Sequence, residues 1–220
     1  MARALVLHSG GIDSSTCLAI AARDYDEVTA LSIHYGQRHS REIDAARDVA
    51  KHLCVQHEAL QLPPIENSML TDASREIPSI SYEDIKGISP TYVPFRNGLL
   101  LANVASLAQA REFDAIFFGA HAEDAHNWAY PDCTPEFIGA MANAIFIGTY
   151  QKVRLVTPLE WLNKQEIITL GDKLGVPWGK TWSCYKGEPV HCGVCPTCRA
   201  RRAGFIAAGI FDPTVYGATP

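Results

Sequence analysis

The sequence predicts an α/β fold, a parallel five-stranded sheet with helices on both faces, closed by a small cysteine-rich tail. Three observations carry that prediction. Short β-prone apolar runs alternate with helical periodicity from the N-terminus to about residue 176. The turn Ser9-Gly10-Gly11 joins the first run directly to the first helical stretch, as in a βαβ unit with right-handed crossovers. Four of the seven cysteines fall between residues 184 and 198, among loop-forming glycines and prolines. The expected division is 1–176 for the α/β domain, with an irregular insert at 62–95, and 177–220 for the tail.

The elements follow in order. Ala4 to Leu7 is the first strand, and Thr16 to Ala22 reads as the helix behind the glycines. Glu27 to Ile33 is a second buried strand, ending at Tyr35-Gly36-Gln37-Arg38-His39. A helix from about Ser40 places Ile43, Ala46, Ala50 and Leu53 on one face, and Val55 to Leu60 is the third strand. From Leu62 to Phe95, Pro63, Pro64, Pro78, Pro90 and Pro94 break any long helix. A structureless stretch of that length reads as a lid or substrate-binding insert. Arg96-Asn97-Gly98 leads into an apolar helix from Leu99 to Ala110, and Ala115 to Gly119 is the fourth strand. Thr134-Pro135-Glu136 opens a helix to about Ile147 with proline in its first turn. Arg154 to Leu159 is the fifth strand. Asn163-Lys164-Gln165-Glu166 then has capping-box spacing, with the helix ending near Gly175.

Composition narrows the class. The net charge is −5 and the pI is about 5.9, which argues against a nucleic-acid-coating surface. No run of 18 apolar residues appears, so no membrane partner is expected. Met1-Ala2-Arg3 enters a strand without a signal segment, and the cysteine usage fits a reducing compartment; the expectation is a cytoplasmic protein.

Two motifs carry chemistry. Adjacent glycines between a strand and a helix N-terminus let backbone N–H groups turn toward an anion, and Ser9, Ser14 and Ser15 add hydroxyl donors. Neither G-x-x-x-x-G-K-[ST] nor G-x-G-x-x-G after the first strand is present. Ser9-Gly10-Gly11-Ile12-Asp13-Ser14 instead resembles the S-G-G-x-D-S loop of the PP-loop ATP pyrophosphatases, which split ATP between its α and β phosphates. The plainer alternative is a strand-to-helix turn capped by Asp13. In the tail, Cys184, Cys192, Cys195 and Cys198 have the spacing of a closed structural zinc site. Cys17 and Cys54, in helical patterns, read as buried packing residues. His121-Ala122-Glu123 and Cys192-x-x-Cys195 echo a base-deaminase site, but four cysteines leave no place for a histidine ligand and a water.

Together the motifs resemble the 7-cyano-7-deazaguanine synthase family nearly end to end. The likeness runs through the glycine loop, Tyr35 to His39, Phe95-Arg96-Asn97, Glu123-Asp124 and Tyr130-Pro131-Asp132-Cys133. It continues with Pro158-Leu159, Lys164-x-Glu166, Thr181 to Tyr185, and the cysteine cluster with Arg199. The resemblance implies a Rossmann-like (adenine nucleotide alpha hydrolase-like) sheet, a homodimer, and conversion of 7-carboxy-7-deazaguanine, ammonia and ATP to the nitrile. ATP with Mg²⁺ is then expected on His8, Ser9, Gly10, Gly11, Ile12, Asp13, Ser14, Ser15, Thr16, Cys17 and Leu18, and structural Zn²⁺ on the four tail cysteines. Asp13 is a candidate Mg²⁺ ligand, and Lys164 a candidate for neutralising phosphate charge. Arg38 and Arg96 are candidates for gripping carboxylate or phosphate. Tyr35, Gln37, Arg96, Asn97, Glu123, Asp124, Tyr130 and Asp132 are the implied substrate contacts. Two departures stand out: His8 where the family has an apolar residue or Phe, and a short insertion at His126-Asn127-Trp128.

Two rival readings differ in class. A tRNA-modifying PP-loop enzyme (a thiolase or lysidine-type ligase) would need a basic docking surface, which the charge does not supply. A non-catalytic ATP sensor with a zinc tail would bind ATP without turnover.

Overall fold

The computed structural model describes residues 1–72, 74–125 and 128–217. Five parallel strands form one sheet: β1 (Arg3–Leu7), β2 (Glu27–His34), β3 (Gln56–Gln61), β4 (Ala115–Phe117) and β5 (Arg154–Val156), in the order β3-β2-β1-β4-β5. Register pairs Leu7 with Leu31 on one side of β1 and Val6 with Phe117 on the other. The helices are α1 (Ile12–Asp24), α2 (Arg41–His52), α3 (Arg96–Ala110), the single turn α4 (Ala122–Ala125), α5 (Pro135–Gly148), α6 (Lys164–Lys173) and α7 (Pro196–Ala208).

Strand alternation sorts the core into two layers. Ala4, Val6, Ala30, Ala115 and Phe117 face α1, α2 and α6, and Phe205 of α7 joins them through Trp178. Leu5, Leu7, Leu31, Ile33 and Ile116 face α3 and α5. The sheet order reverses between β1 and β4, so the loops after these strands diverge to opposite faces and leave a crevice at their carboxyl ends.

Several local expectations hold at atomic level. Thr134 caps α5, its hydroxyl accepting from Phe137 N at 3.2 Å, and the Asn163/Glu166 capping box is complete. The insert holds one short 3₁₀ turn, Tyr82–Asp84, and is otherwise irregular. Others need correction. The glycine loop starts its helix at Ile12, and α3 starts at Arg96 rather than Leu99. Strand β4 stops at Phe117, because Gly119 passes so close to α1 that a Cβ there would lie 3.3 Å from Asp13 C. Strand β5 stops before Pro158, whose missing N–H cannot extend the ladder. Helix α2 turns Ala45, Ala46, Val49 and Ala50 inward, leaving Ile43 and Leu53 half-buried. Cys17 is buried as expected, but Cys54 is exposed, in a left-handed residue just beyond α2.

Candidate active site

The crevice opens into a cleft of about 280 Å³ lined by the glycine loop, the β2–α2 turn, the start of α3, the β4–α4 loop, Lys164 and the tail. At its floor Gly10 adopts φ +80°, and a Cβ there would sit 2.5 Å from Ala46 N and 2.6 Å from Glu42 O. Only glycine allows the loop to lie this close to α2. The loop is cross-braced by its own serines: Ser9 N and Ser9 Oγ both reach Ser14 Oγ at 3.1 Å. Helix α1 begins on extended Gly11 with no side-chain cap, so its N-terminus meets the cleft with first-turn N–H groups directed outward.

Asp13 is not a helix cap. Its Oδ1 accepts from Lys164 Nζ at 2.6 Å, across 151 residues of sequence. His121 completes the group, with Nε2 3.0 Å from Lys164 Nζ, 3.7 Å from Asp13 Oδ2 and 3.4 Å from Asp124 Oδ2. Burial opposes ionisation of Asp13, but the Lys164 and His121 charges outweigh it and hold the carboxyl below its ordinary value. Burial likewise works against the Lys164 ammonium, and Asp13 and Asp124 overcome it and hold that group above its ordinary value. Both groups therefore stay charged at neutral pH. Three loops at the carboxyl ends of β1, β4 and β5 thus converge on one charged cluster.

On the opposite wall, Arg96 donates to Tyr35 Oη at 3.1 Å and to Asn97 Oδ1 at 3.3 Å. Arg38 binds backbone carbonyls of the insert, Arg75 O at 2.9 Å and Met69 O at 3.5 Å, tying that segment to the β2–α2 turn. Gln37 is spent on the same turn, accepting from Tyr35 N and donating to Ile33 O. Tyr35, Gln37, Arg38, Arg96, Asn97, Glu123, Asp124 and Lys164 all line the cleft.

Asp132 and Tyr130 lie outside it. Asp132 Oδ2 accepts from Asn97 N at 2.9 Å and caps the start of α3, while Tyr130 bonds the Ser89 and Thr91 hydroxyls at 3.0 and 2.6 Å. Of the expected loop residues, Thr16, Cys17 and Leu18 are turned into the core. His126 and Asn127 of the insertion fall outside the described residues; Trp128 is exposed beside an outer groove with Phe95 and Phe137.

The structure adds cleft residues that sequence reasoning missed. His121 was readable as a polar residue just beyond a strand's carboxyl end. Glu42 gave no such sign, since an acid in the first turn of an amphipathic helix reads as a surface residue. Tyr82 and Tyr185 bridge the insert and the tail through an Oη···Oη contact of 3.1 Å, and burial lifts both phenols well above their ordinary value.

In the tail, the Sγ atoms of Cys184, Cys192, Cys195 and Cys198 all lie within 4.8 Å of one another, and all four residues are buried. The Cys192–Cys198 separation of 3.9 Å is far beyond a disulfide bond. It matches the S···S edge of about 3.8 Å in a tetrahedral shell of thiolates at about 2.3 Å from a zinc ion. Backbone N–H groups of Lys186 and Cys192 approach Cys184 Sγ at 3.4 Å, and Cys195 N approaches Cys192 Sγ at the same distance, an arrangement that favours thiolate. His191 does not compete as a ligand: its Nε2 accepts from Ser183 N at 3.0 Å and its ring packs on Trp182. The cluster can hold a metal ion with four soft ligands.

Comparison with known proteins gives a consistent family. The model described as queuosine biosynthesis protein QueC matches residues 3–209. A 7-cyano-7-deazaguanine synthase of Thermoplasma volcanium is 42% identical, the alignment covering 99% of this chain and 92% of the relative. One of the same name from Ralstonia pickettii is 44% identical, covering 97% and 98%. A crystal structure of a predicted tRNA methyltransferase subunit from Methanocaldococcus jannaschii has a TM-score of 0.50 at 20% identity, covering 79% of this chain and 76% of that one, which speaks to the fold alone. With the family model spanning almost the whole sequence and relatives above 40% identity over nearly their full length, the chain belongs to the QueC family of queuosine biosynthesis proteins.

Proposed function

We propose that the protein is an ATP-dependent C–N ligase converting 7-carboxy-7-deazaguanine and ammonia to 7-cyano-7-deazaguanine through an adenylated carboxylate and an amide. The single observation that carries this reading is the convergence of Asp13, Lys164 and His121 beside the glycine loop, facing Arg96 across one cleft. A carboxylate resists nucleophiles because of its charge and its poor leaving group. Adenylation removes both obstacles, and a second activation, at the amide oxygen, permits loss of the elements of water. The protein's contribution is positioning and charge stabilisation.

In this reading the N-terminus of α1 and the Ser9–Ser14 loop receive the phosphates, and Lys164 offsets charge that develops during transfer. Asp13, which lines the cleft, keeps one oxygen on Lys164 and holds the second 3.7 Å from His121 Nε2, with no hydrogen bond among the described residues. That hard oxygen donor fits Mg²⁺, which bound there would neutralise phosphate charge. Arg96, already oriented by Tyr35, is placed to grip the substrate carboxylate, and Glu123 and Asp124 to accept from the N–H edge of the base. Arg38 and Gln37 act by holding the turn and insert that form the wall. Asp132 and Tyr130 act indirectly, through Asn97 and the insert.

Zinc in the four-cysteine site would cross-link the 177–220 tail internally, and the tail so fixed packs on the 1–176 ATP-binding domain through Trp182 N and Gly10 O, with 62–95 as the lid. A homodimer is supported by the uncharged outer face of α5, where Gly139, Ala140, Ala144 and Ile147 are exposed and Glu136 is the helix's one charged residue. No described helix is long and apolar enough to cross a membrane, and a cytoplasmic site suits these small-molecule substrates.

The test is a coupled assay with ATP, Mg²⁺, ammonium and 7-carboxy-7-deazaguanine, following AMP, pyrophosphate and product mass. Nitrile formation abolished by Asp13→Ala supports the reading. AMP release without nitrile moves the substrate elsewhere, and ATP binding without turnover returns the sensor.

A further inference from the structure

Glu42 occupies a position that the reading above leaves unused. It sits in the first turn of α2, with its carbonyl against Gly10, and lines the same cleft. Of the other acids near the cleft, Asp13 is engaged by Lys164, Asp124 lies beside His121 and Asp132 accepts from Asn97 N, while Glu123, in α4, lines the cleft but is exposed to solvent. The Glu42 carboxyl makes no hydrogen bond or ion pair among the described residues. It is thus placed between the loop proposed for the phosphates and the arginine proposed for the substrate carboxylate. The carbon that is activated must lie between those two anchors.

We infer that Glu42 is a catalytic residue of this cleft, the group that accepts the proton given up by the nitrogen nucleophile. The inference rests on the activation chemistry proposed above. As ammonia attacks the acyl-adenylate, the C–N bond forms and the C–O bond to AMP breaks, its electron pair leaving on the phosphate oxygen. One N–H proton passes to Glu42 Oε and then to solvent. In the second stage the amide oxygen is adenylated with loss of one N–H proton. The second N–H proton is lost as AMP departs and the C≡N bond closes. The same carboxylate serves all three deprotonations, passing each proton to solvent before the next. A base is required at each stage, and the positive charge of the anchors on either side helps keep a nearby carboxylate ionised, the form that can accept a proton.

The charged and titratable groups lining the cleft with it include Arg96 from α3, Tyr35, Arg38 and His39 from the β2–α2 turn, Asp13 from α1 and Tyr185 from the tail. Burial lifts the Glu42 carboxyl above its ordinary value, and the Arg96 guanidinium offsets only part of that. A carboxyl raised toward the working pH is better matched to general-base work than a surface acid.

The test compares the unaltered zinc-loaded protein with Glu42→Gln and Glu42→Asp in two reactions. The first is pyrophosphate–ATP exchange dependent on 7-carboxy-7-deazaguanine, without ammonia. The second is ammonia-dependent product formation from pH 6 to about pH 9. The expected result for Glu42→Gln is exchange within about twofold of the unaltered protein, with nitrogen transfer down roughly 100-fold at neutral pH. The deficit should shrink as pH rises and hydroxide from solvent takes over the deprotonation. Glu42→Asp should fall between the two, since it keeps a carboxylate at shorter reach. Near-UV circular dichroism on each variant separates a folding defect from a chemical one, and Glu42→Asp carries the test if Glu42→Gln does not fold. Nitrogen transfer within about threefold in a folded variant overturns the inference, as does a parallel fall in exchange, which marks a role in shaping the loop. No exchange in the unaltered protein overturns the activation reading and this inference with it.

Discussion

The backbone N–H of Trp182 donates to the Gly10 carbonyl at 2.8 Å, so the tail grips the glycine loop where it bends most sharply. The same residue's indole N–H donates to Cys184 O at 2.8 Å, and Arg41 lies 5.1 Å from its ring. A cysteine of the metal-binding cluster is therefore one residue's reach from the loop. Removing the metal, by chelation or by Cys195→Ser, is expected to cost about 3 kcal/mol and to lower Tm by roughly 6–12 °C. It should also weaken ATP binding about tenfold, and by reciprocity ATP should tighten metal binding about tenfold. Thermal melts and calorimetric titration check both, and unchanged nucleotide affinity after metal loss would show the grip to be passive.

Lys164→Ala leaves Asp13 facing buried groups without its counter-charge. The side chains are 14% and 26% exposed, so solvent screens part of the pair, and the expected cost is about 1–2 kcal/mol. Product formation is expected to fall about 100-fold or more. The pH dependence has a definite sign. Asp13 titrates below its ordinary 3.8 in the folded state, so its contribution is present above that value and is lost as pH falls below it. Asp13→Asn should flatten this part of the acid limb in urea titrations.

His8 continues the Ala4–Val6 side of β1 and is buried with both ring nitrogens lacking hydrogen-bond partners among the described residues. Burial, helped by His57, presses its pKa from 6.5 to about 3. The unfolded chain then binds the extra proton between those values, so stability falls as pH drops from 6.5 toward 3. His8→Phe removes two unsatisfied polar atoms and should raise stability by about 1 kcal/mol at neutral pH while weakening that dependence. Chemical denaturation at pH 7 and pH 5 checks the two claims separately.

Gly10→Ala should be far more damaging than its size implies. The new methyl would meet Ala46 N and Glu42 O in a left-handed residue, forcing the loop off α2. A loss of about 2–4 kcal/mol and of nucleotide binding is expected, whereas Gly139→Ala, with open space around it, should be neutral or stabilising. Paired melts of the two variants give the comparison.

The parallel sheet was legible because its strands are short apolar runs separated by helical periodicity, and the glycine loop because its turn requires residues of that kind. The cysteine cluster was legible from spacing alone. What escaped were relationships between distant segments. Asp13 is readable as a metal ligand or as a helix cap, but its ion pair with Lys164, 151 residues away, leaves no trace in the sequence. Asp132 read as a cleft residue, yet the first turn of α3 claims it. Glu42 lacks any local pattern, and His121 shows only as a polar residue beyond a strand, because a cleft made by converging loops has no period in the sequence.

Oxygen transfer from the substrate tests the central claim most directly. With both carboxylate oxygens of 7-carboxy-7-deazaguanine labelled with ¹⁸O, adenylation of acid and then amide should place one label in each of two AMP molecules and none in pyrophosphate. Label-free AMP, or formation of ADP and phosphate instead, would contradict the account.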